Sequence, residues 1–295
     1  MAPRALLLLL TATLSAADFP IDHVTVAGSS VKDMQARLAA VGIETVYGGA
    51  HNNRTTEMAL ASFPDGSYLE AIGVQSGATP ELIDKHEWAA FLKTSGTPCA
   101  WALRAKDMAA EVKRFEANGI TVSKPIAAGR ARPDGVRLEW ETANLGDEAR
   151  GTSFPFLIHD RTPREQRAFP QGKPVTRDFK GVARVVIAVR DLNAAIKRYR
   201  QAFALPDPIR QVDKAFGAYL ALMGDGGVVL AQPLNANSWL NERIERFGEG
   251  PCAFVLAATR PGRYHPASET QWFGARISWF DPEKLGWRLG YEPAR

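Results

Sequence analysis

The sequence predicts an α+β fold made of four βαβββ modules arranged in two pairs. The first observation is an internal repeat: residues 22–31 align without gaps to residues 183–192, at an offset of 161. Three further matches keep the same order: 66–70 with 227–231, 97–101 with 250–254, and 135–140 with 274–279. Because the offset shrinks along the chain, a duplicated domain that lost loop residues in its second copy explains the series. The second observation is that a strand–helix–strands order occurs twice in each half.

Module one opens with an apolar strand at Asp22 and continues with a helix over residues 31–41. Apolar side chains recur there near i, i+3, i+4 and i+7, and Gly42 suits the end of the helix. The turn signal Pro64-Asp65-Gly66 separates the last two of three expected strands. These strands are predicted at 43–48, 57–63 and 67–74.

Module two repeats this order. Its first strand is predicted at 99–104, and its helix at 108–118 is ended by Gly119. Three strands should follow, near 120–123, 136–142 and 154–159.

Modules three and four follow the same order in the second half. Module three should contain a strand at 182–189, a helix from Leu192 to about residue 202, and strands near 217–223 and 228–231. Module four shows strand patterns at 252–257 and 271–279 but no long helical pattern, so it looks truncated. The predicted domains are residues 18–160 and 181–295, joined by a linker at 161–180.

The N-terminus has the pattern of a signal peptide over residues 1–17. Arg4 precedes a short apolar run at 5–14, and the small residues Ser15-Ala16-Ala17 precede Asp18. About ten apolar residues are too few to span a bilayer. The sequence therefore predicts an exported chain, periplasmic or secreted, without an integral membrane segment after cleavage.

Composition and cysteine content narrow the classes of function. The 295 residues are 45% hydrophobic and 23% charged, which is ordinary globular composition. The net charge of +4 comes from scattered basic residues, so no nucleic-acid partner is expected. The two cysteines, Cys99 and Cys252, occupy equivalent repeat positions, and free buried thiols are favoured over a bridge. No phosphate-binding loop, dinucleotide fingerprint or nucleophile elbow is present.

Several motifs, taken in order, give the chain a family resemblance. They are Asp22-His23-Val24, Tyr47-Gly48-Gly49-Ala50-His51, Asp65 to Glu70, Arg132 to Gly135, and Thr162-Pro163-Arg164. With these residues the chain resembles the glyoxalase-like proteins of the vicinal-oxygen-chelate superfamily over nearly all of its length after the signal peptide. The resemblance implies that each pair of modules forms an open half-barrel.

The resemblance also implies a metal site in the first half. It places His23 on the first strand and Glu70 on the fourth as ligands, and His159 at the end of the second module's last strand as a third. Two imidazoles and one carboxylate suit a divalent Zn, Fe, Mn or Ni ion. Ala100 and Trp101 stand at the remaining ligand position and cannot donate. A one-residue register shift would turn His159 to the other face. The alternative for His23 is an ordinary buried or strand-edge histidine, and the alternative for Glu70 and His159 is a surface position.

Further residues are expected around the cleft. His51, Asn53 and Arg54 precede the third strand and are candidates for substrate binding, as is Arg137 on an alternating strand. Because Arg137 is repeated as Arg276 in the second half, a structural ion pair is an alternative for it. In that half Arg184 aligns with His23 and Ala231 with Glu70, so no equivalent site is expected there.

The functional expectation is a metal-dependent lyase, isomerase or dioxygenase acting on a small molecule with vicinal oxygens. Glu70 is the candidate catalytic residue, and the ion would act as a Lewis acid. The alternative is a binding protein without catalysis that sequesters a hydrophobic or aromatic small molecule in the same cleft. A surface or assembly component is a third possibility, and a homodimer is an open alternative for the assembly.

Overall fold

The computed structural model describes residues 19–294 and confirms the duplicated α+β architecture. The predicted signal peptide therefore lies outside the described residues. No helix within residues 19–294 is long and apolar enough to cross a membrane. Each half is a mixed eight-stranded sheet that curls into a nearly closed half-barrel, and each sheet contains two βαβββ modules.

The N-terminal half carries the first eight strands. They are β1 (Ile21–Ala27), β2 (Val46–Ala50), β3 (Thr56–Ser62), β4 (Tyr68–Val74), β5 (Thr97–Arg104), β6 (Ile126–Ala131), β7 (Arg137–Asn144) and β8 (Phe156–Asp160). The helices are α1 (Val31–Ala40), α2 (Pro80–Asp84), α3 (Ala89–Leu92), α4 (Met108–Ala117) and α5 (Arg164–Ala168). The sheet order is β2-β3-β4-β1-β5-β8-β7-β6, so β1 and β5 join the two modules at the centre.

The C-terminal half repeats this order as β10-β11-β12-β9-β13-β16-β15-β14. Its strands are β9 (Phe179–Ala188), β10 (Ile209–Asp213), β11 (Ala218–Met223), β12 (Val228–Pro233), β13 (Gly250–Ala258), β14 (Ser268–Trp272), β15 (Ala275–Trp279) and β16 (Arg288–Pro293). Its helices are α6 (Leu192–Phe203), α7 (Trp239–Phe247) and α8 (Pro282–Leu285). In module four the helix after the first strand is reduced to a 3-10 turn at Pro261–Arg263.

Local sequence explains the long helices. Ser30, Asp107 and Asp191 each accept a hydrogen bond from a backbone N–H of the first turn of α1, α4 and α6, which satisfies donors that the helix itself cannot pair. Each of these helices turns an apolar face toward the outside of a sheet, where one continuous core forms between the two halves. Cys99 and Cys252 are free and buried, as expected.

The two outer edges of the N-terminal sheet approach each other. His51, just after β2, forms an isolated backbone bridge with Arg130 on β6. This bridge nearly closes the sheet into a barrel, because β2 and β6 are its two edge strands. The inner face of the barrel therefore becomes an enclosed space that can hold a ligand.

Candidate functional site

The inner face of the N-terminal sheet surrounds a cavity of about 390 Å³. This volume lies within the range of small-molecule sites. The polar groups include His23, His51, Glu70 and Arg130, whereas the apolar part of the lining is formed by Ile72, Trp88, Trp140, Phe156 and Ile158. The cavity therefore combines a few convergent polar groups with apolar walls, which is the usual composition of a binding site.

His23 on β1 is held in one orientation by its neighbour Asp22. The ring Nδ1 lies 2.7 Å from Asp22 Oδ1, and the ring stacks on Tyr68 with 4.8 Å between ring centroids. A β-bulge between Ile21 and His23 in the pairing with β5 disturbs the alternation of side chains here. Because an ionised carboxylate can only accept, Nδ1 carries the proton and the lone pair of Nε2 is free to bind a ligand.

Asp22 is fully buried and is paired with two arginines of the segment predicted as the linker. Arg167 donates to both oxygens of Asp22 at 3.0 and 3.1 Å, and Arg164 donates to Oδ2. Burial alone would raise the pKa of Asp22, but Arg167, the hydrogen bond with His23, and Arg164 hold that pKa well below its usual value. The carboxylate is therefore ionised, and α5 is part of the support of His23.

Glu70 brings its carboxylate between two imidazoles. Oε2 lies 3.7 Å from His23 Nε2 and accepts a hydrogen bond from Thr25 Oγ1 at 3.3 Å. Oε1 lies 3.9 Å from His51 Nε2. The side chain faces inward because β1 and β4 pair in parallel with Thr25 opposite Glu70. The carboxylate of Glu70 thus lies within 4 Å of an imidazole nitrogen on each side, and all three side chains line the same cavity.

The loop before β3 positions His51. Asn53 Oδ1 accepts from the backbone N–H groups of Thr55 and Thr56 at 2.9 and 3.1 Å, an Asx-type turn that fixes the loop. Thr56 Oγ1 lies 2.8 Å from His51 Nδ1, which leaves Nε2 facing Glu70. Burial lowers the pKa of His51, although Glu70 acts in the opposite direction. His51 is therefore a neutral imidazole at neutral pH.

The donors fit a divalent ion in kind but differ from the set that the resemblance implies. His23, His51 and Glu70 supply two imidazoles and a carboxylate, the set that suits borderline transition metals. Donor atoms sharing one ion lie roughly 3.0–3.4 Å apart, slightly closer than the 3.7 and 3.9 Å measured here. Accordingly, no group of three or more His, Cys, Asp or Glu side chains within residues 19–294 is placed so that it could hold a metal ion as it stands.

Module two contributes no donor to this point. Ala100 and Ala102 on β5 and Phe156 and Ile158 on β8 pack together on the cavity side, whereas Trp101 belongs to the core on the opposite face of the sheet. Of the four ligand positions that the resemblance implies, the two in module two therefore present apolar side chains to the cavity. Any third donor must come from outside the first and last strands of the modules, and His51 meets that requirement.

Three residues expected at the site lie away from the cavity. On β8, Phe156 and Ile158 line the cavity. His159 is the next residue, so its side chain points to the opposite face of the strand. There its Nδ1 lies 2.9 Å from the carbonyl oxygen of Ala105. Arg137 is exposed on the face of β7 opposite Trp140 and has no ion-pair partner within residues 19–294. Arg54 is exposed at a left-handed turn position, with a φ of 59°.

The residues His23, Glu70, His51 and Asn53, which the sequence predicts at the site, all line the cavity, but the sequence does not predict that two arginines are buried in the same lining. Arg130 and Arg167 both line the cavity and are only 3% and 2% exposed. The available signal for Arg167 was the segment Thr162-Pro163-Arg164, which the resemblance already included. The burial of Arg130 has no such signal, since surface charge is the default for an arginine within an Ala- and Gly-rich edge strand.

The corresponding space in the C-terminal half is filled by aromatic side chains. Phe216, from the turn before β11, packs edge-to-face on Trp272 and Trp239, with centroid distances of 4.9 and 5.3 Å. The strand positions around it are aliphatic, namely Val186, Ala188, Val229 and Ala231. Arg184 pairs with Glu292 at 2.9 Å and is buried. This half therefore has a packed interior where the first half has a cavity.

Comparison with known proteins agrees with this architecture. The profile of the family described as "Glyoxalase-like domain" matches residues 21–203. No curated protein sequence matches the chain. A hypothetical protein from Staphylococcus aureus of known crystal structure is similar over 92% of this chain and 98% of its own, with 13% identity and a TM-score of 0.63. That similarity supports the two-half fold and says nothing about activity.

Two further similarities concern methylmalonyl-CoA epimerases. The enzyme from Mycobacterium tuberculosis is 18% identical over 42% of this chain and 93% of its own, with a TM-score of 0.37. The Streptomyces coelicolor enzyme in complex with 2-nitronate-propionyl-CoA is 19% identical over 38% of this chain and 96% of its own, with a TM-score of 0.32. Scores this low carry no weight for function. The profile match, which spans more than half of the chain, shows that this protein belongs to the Glyoxalase-like domain family.

Proposed function

We propose that the N-terminal cavity is the active site of a metal-dependent lyase, isomerase or dioxygenase that acts on a small molecule with vicinal oxygens. The proposed ligands are His23, His51 and Glu70, with His51 as the third ligand instead of His159, which the resemblance implies. The observation that carries the proposal is the convergence of these three side chains, at 3.7 and 3.9 Å, inside one cavity.

The surroundings of His23 support its role as a ligand. Metal-binding histidines usually donate their second ring N–H to a carboxylate, which fixes the tautomer and makes the free nitrogen more basic. Asp22 provides this carboxylate, and Arg164 and Arg167 in turn hold Asp22. A histidine that only packs in the core does not require a hydrogen bond from its ring to a fully buried, ionised carboxylate.

In this proposal, a bound divalent ion supplies Lewis-acid polarisation of the substrate oxygens. Glu70 accepts and returns a proton, because its carboxylate is the acidic group between the two imidazoles. Tyr68 and Trp88 restrict water, since both are less than 8% exposed and both line the cavity. His51 and Asn53 contact the substrate at the loop side.

Elemental analysis of the chain purified without affinity metals or chelators tests the proposal. We expect about one equivalent of a transition metal per chain, a stoichiometry set by the single convergence point. His23→Ala, His51→Ala and Glu70→Gln should each lose most of it. His159→Asn, outside the cavity, is the matched control and should keep it. Absence of metal from the unsubstituted chain after dialysis against Zn, Mn, Ni and anaerobic Fe(II) salts would overturn the proposal.

The apolar side of the cavity favours a second candidate, a binding protein without catalysis. Trp88, Trp140 and Phe156 present aromatic surface to the cavity, and module two offers no metal donor. Saturable binding of an aromatic ligand by metal-free protein, without turnover in the presence of added metals, would support this candidate over the first. Loss of binding on metal removal would favour the enzyme.

A further inference from the structure

The cavity contains two buried arginines whose charges are balanced very differently. Arg167 donates to two carboxylates, those of Asp22 and Asp160, as well as to the hydroxyl of Tyr68. Arg130 is equally buried, at 3% exposure, but no carboxylate of residues 19–294 is in ion-pair contact with it, and Glu70 in the same cavity acts on its charge only from a greater distance. Its Nη1 donates to the carbonyl oxygen of Gly48, and its Nη2 has no partner among the described residues.

A buried cation without a counter-ion is costly in a folded protein. Charged groups are rarely fully buried unless they are paired, and a buried guanidinium with an N–H group that no acceptor contacts destabilises the fold. Arg130 also sits at the bridge between β6 and His51, where the backbone fixes its position. A site that holds a guanidinium in this way is prepared for an anion that arrives with the ligand, since the planar fork matches a carboxylate.

The remaining groups of the cavity restrict what kind of anion fits. Arg150 is already paired with Glu87 at 3.4 Å, so Arg130 is the cavity arginine that a ligand can satisfy. The walls beside it are apolar and aromatic. A cavity of about 390 Å³ has room for a molecule of the size of an aryl-substituted small acid.

We infer that the ligand of this cavity is a small carboxylic acid with an aromatic or branched apolar body, whose carboxylate is bound by Arg130. A second oxygen on the adjacent carbon would face His23 and Glu70, so 2-hydroxy and 2-oxo acids form the substrate class. The assignment of that second oxygen rests on the proposed function, whereas the carboxylate contact rests on Arg130 alone.

Calorimetric titration of the full chain with matched acids and amides tests the inference. The probes are benzoate, mandelate and phenylpyruvate, each compared with its uncharged amide. We expect at least one acid to bind about 10- to 100-fold more tightly than its amide, since a hydrogen bond to a charged group contributes roughly 1.5–3 kcal/mol. Arg130→Met should remove most of this preference, whereas Arg137→Met, an exposed arginine of the next strand, should keep it.

The measurements separate the failure of this inference from the failure of the metal site. The preference for acid over amide is measured on the unsubstituted chain, so it can be tested even if Arg130→Met does not fold. The metal content of Arg130→Met is a separate measurement that shows whether the metal ligands are intact. Equal affinities for acid and amide, or no saturable binding of any acid, would overturn the inference. A clear preference in a chain that holds no metal would keep it and refute the metal-dependent activity alone.

Discussion

At the scale of single residues, the site is set by how each charge is neutralised. Asp22 is compensated by two arginines and a histidine, and Arg167 by two carboxylates. The sequence identified His23 and Glu70 because the family resemblance fixes their strand positions. It did not identify Asp22 as the support of His23, since two adjacent residues of a strand normally face opposite sides. The bulge in β1 that breaks this alternation has no sequence signature.

His86 at the cavity rim should make the fold sensitive to acid. Burial lowers its pKa to about 4, with His51 and Arg150 contributing repulsion. The unfolded chain takes up a proton near pH 6.5, whereas the folded chain does not until about pH 4. The contribution of neutral His86 to the folding stability is therefore fully present above pH 6.5 and is lost as the pH falls toward 4. Allowing for its partial exposure, the loss is about 1–2 kcal/mol.

Urea unfolding at pH 7.0 and 4.5 measures this effect. His86→Asn keeps an acceptor for the backbone N–H of Trp88, which now donates to His86 Nδ1 at 3.1 Å, and it removes the titrating ring. The stability that the chain loses between the two pH values should be smaller in this variant. The exposed His265→Asn should lose as much as the unsubstituted chain. An unchanged loss in His86→Asn would contradict the prediction.

At the scale of elements, sequence patterns predict most of the interior strands and the edge strand β2, but they do not predict the interior strand β16 or the edge strand β10. The strands β1, β3, β4 and β5 were predicted within about two residues, because their apolar runs end at turn signals. In contrast, β6 was placed at 120–123 but forms at Ile126–Ala131, where only Arg130 is buried. The helix α7 was not predicted, although Ser238 caps it and Leu240 and Ile244 share its buried face.

Edge-strand contact should control the cavity. A Cβ atom on Gly49 in β2 would lie 2.7 Å from the carbonyl oxygen of Ala131 in β6, and Gly49 has a φ of +114°. Gly49→Ala should therefore push the two edge strands apart and displace His51 from Glu70. We expect a destabilisation at least about 1 kcal/mol larger than that of backbone strain alone, together with weaker metal binding.

Gly135→Ala is the matched control for this substitution. Gly135 also has a positive φ, +86°, but a Cβ atom there meets nothing within 4 Å. It should show the cost of the left-handed backbone without the steric contact. Chemical denaturation and metal titration of both variants give the comparison, and equal effects on stability and metal affinity would show that the β2–β6 approach does not shape the site.

At the scale of the whole molecule, the two halves share one core and are not independent bodies. Phe203 of α6, in the second half, packs on Phe19 and Phe115 of the first, with ring centroids 4.9 and 5.2 Å apart. Tyr199 of the same helix donates its hydroxyl proton to the carbonyl oxygen of Ser153. The family match over residues 21–203 likewise extends into the second half and ends at the last residue of α6. The repeat in the sequence predicts two domains with a boundary at 161–180, but a repeat says nothing about how much apolar surface its copies bury together.

This shared core predicts that the chain unfolds as a single unit. Removing the second half would expose the surface that Phe203 and Tyr199 cover, and at about 25 cal/mol for each Å² of apolar area the loss is comparable with the whole stability of a domain. Calorimetry of the full chain should show one transition, and a fragment of residues 18–160 should lack a cooperative transition. Two resolved transitions in the full chain, or cooperative melting of the fragment, would instead mean that each half-barrel is stable alone and that the aromatic interior of the second half serves only itself.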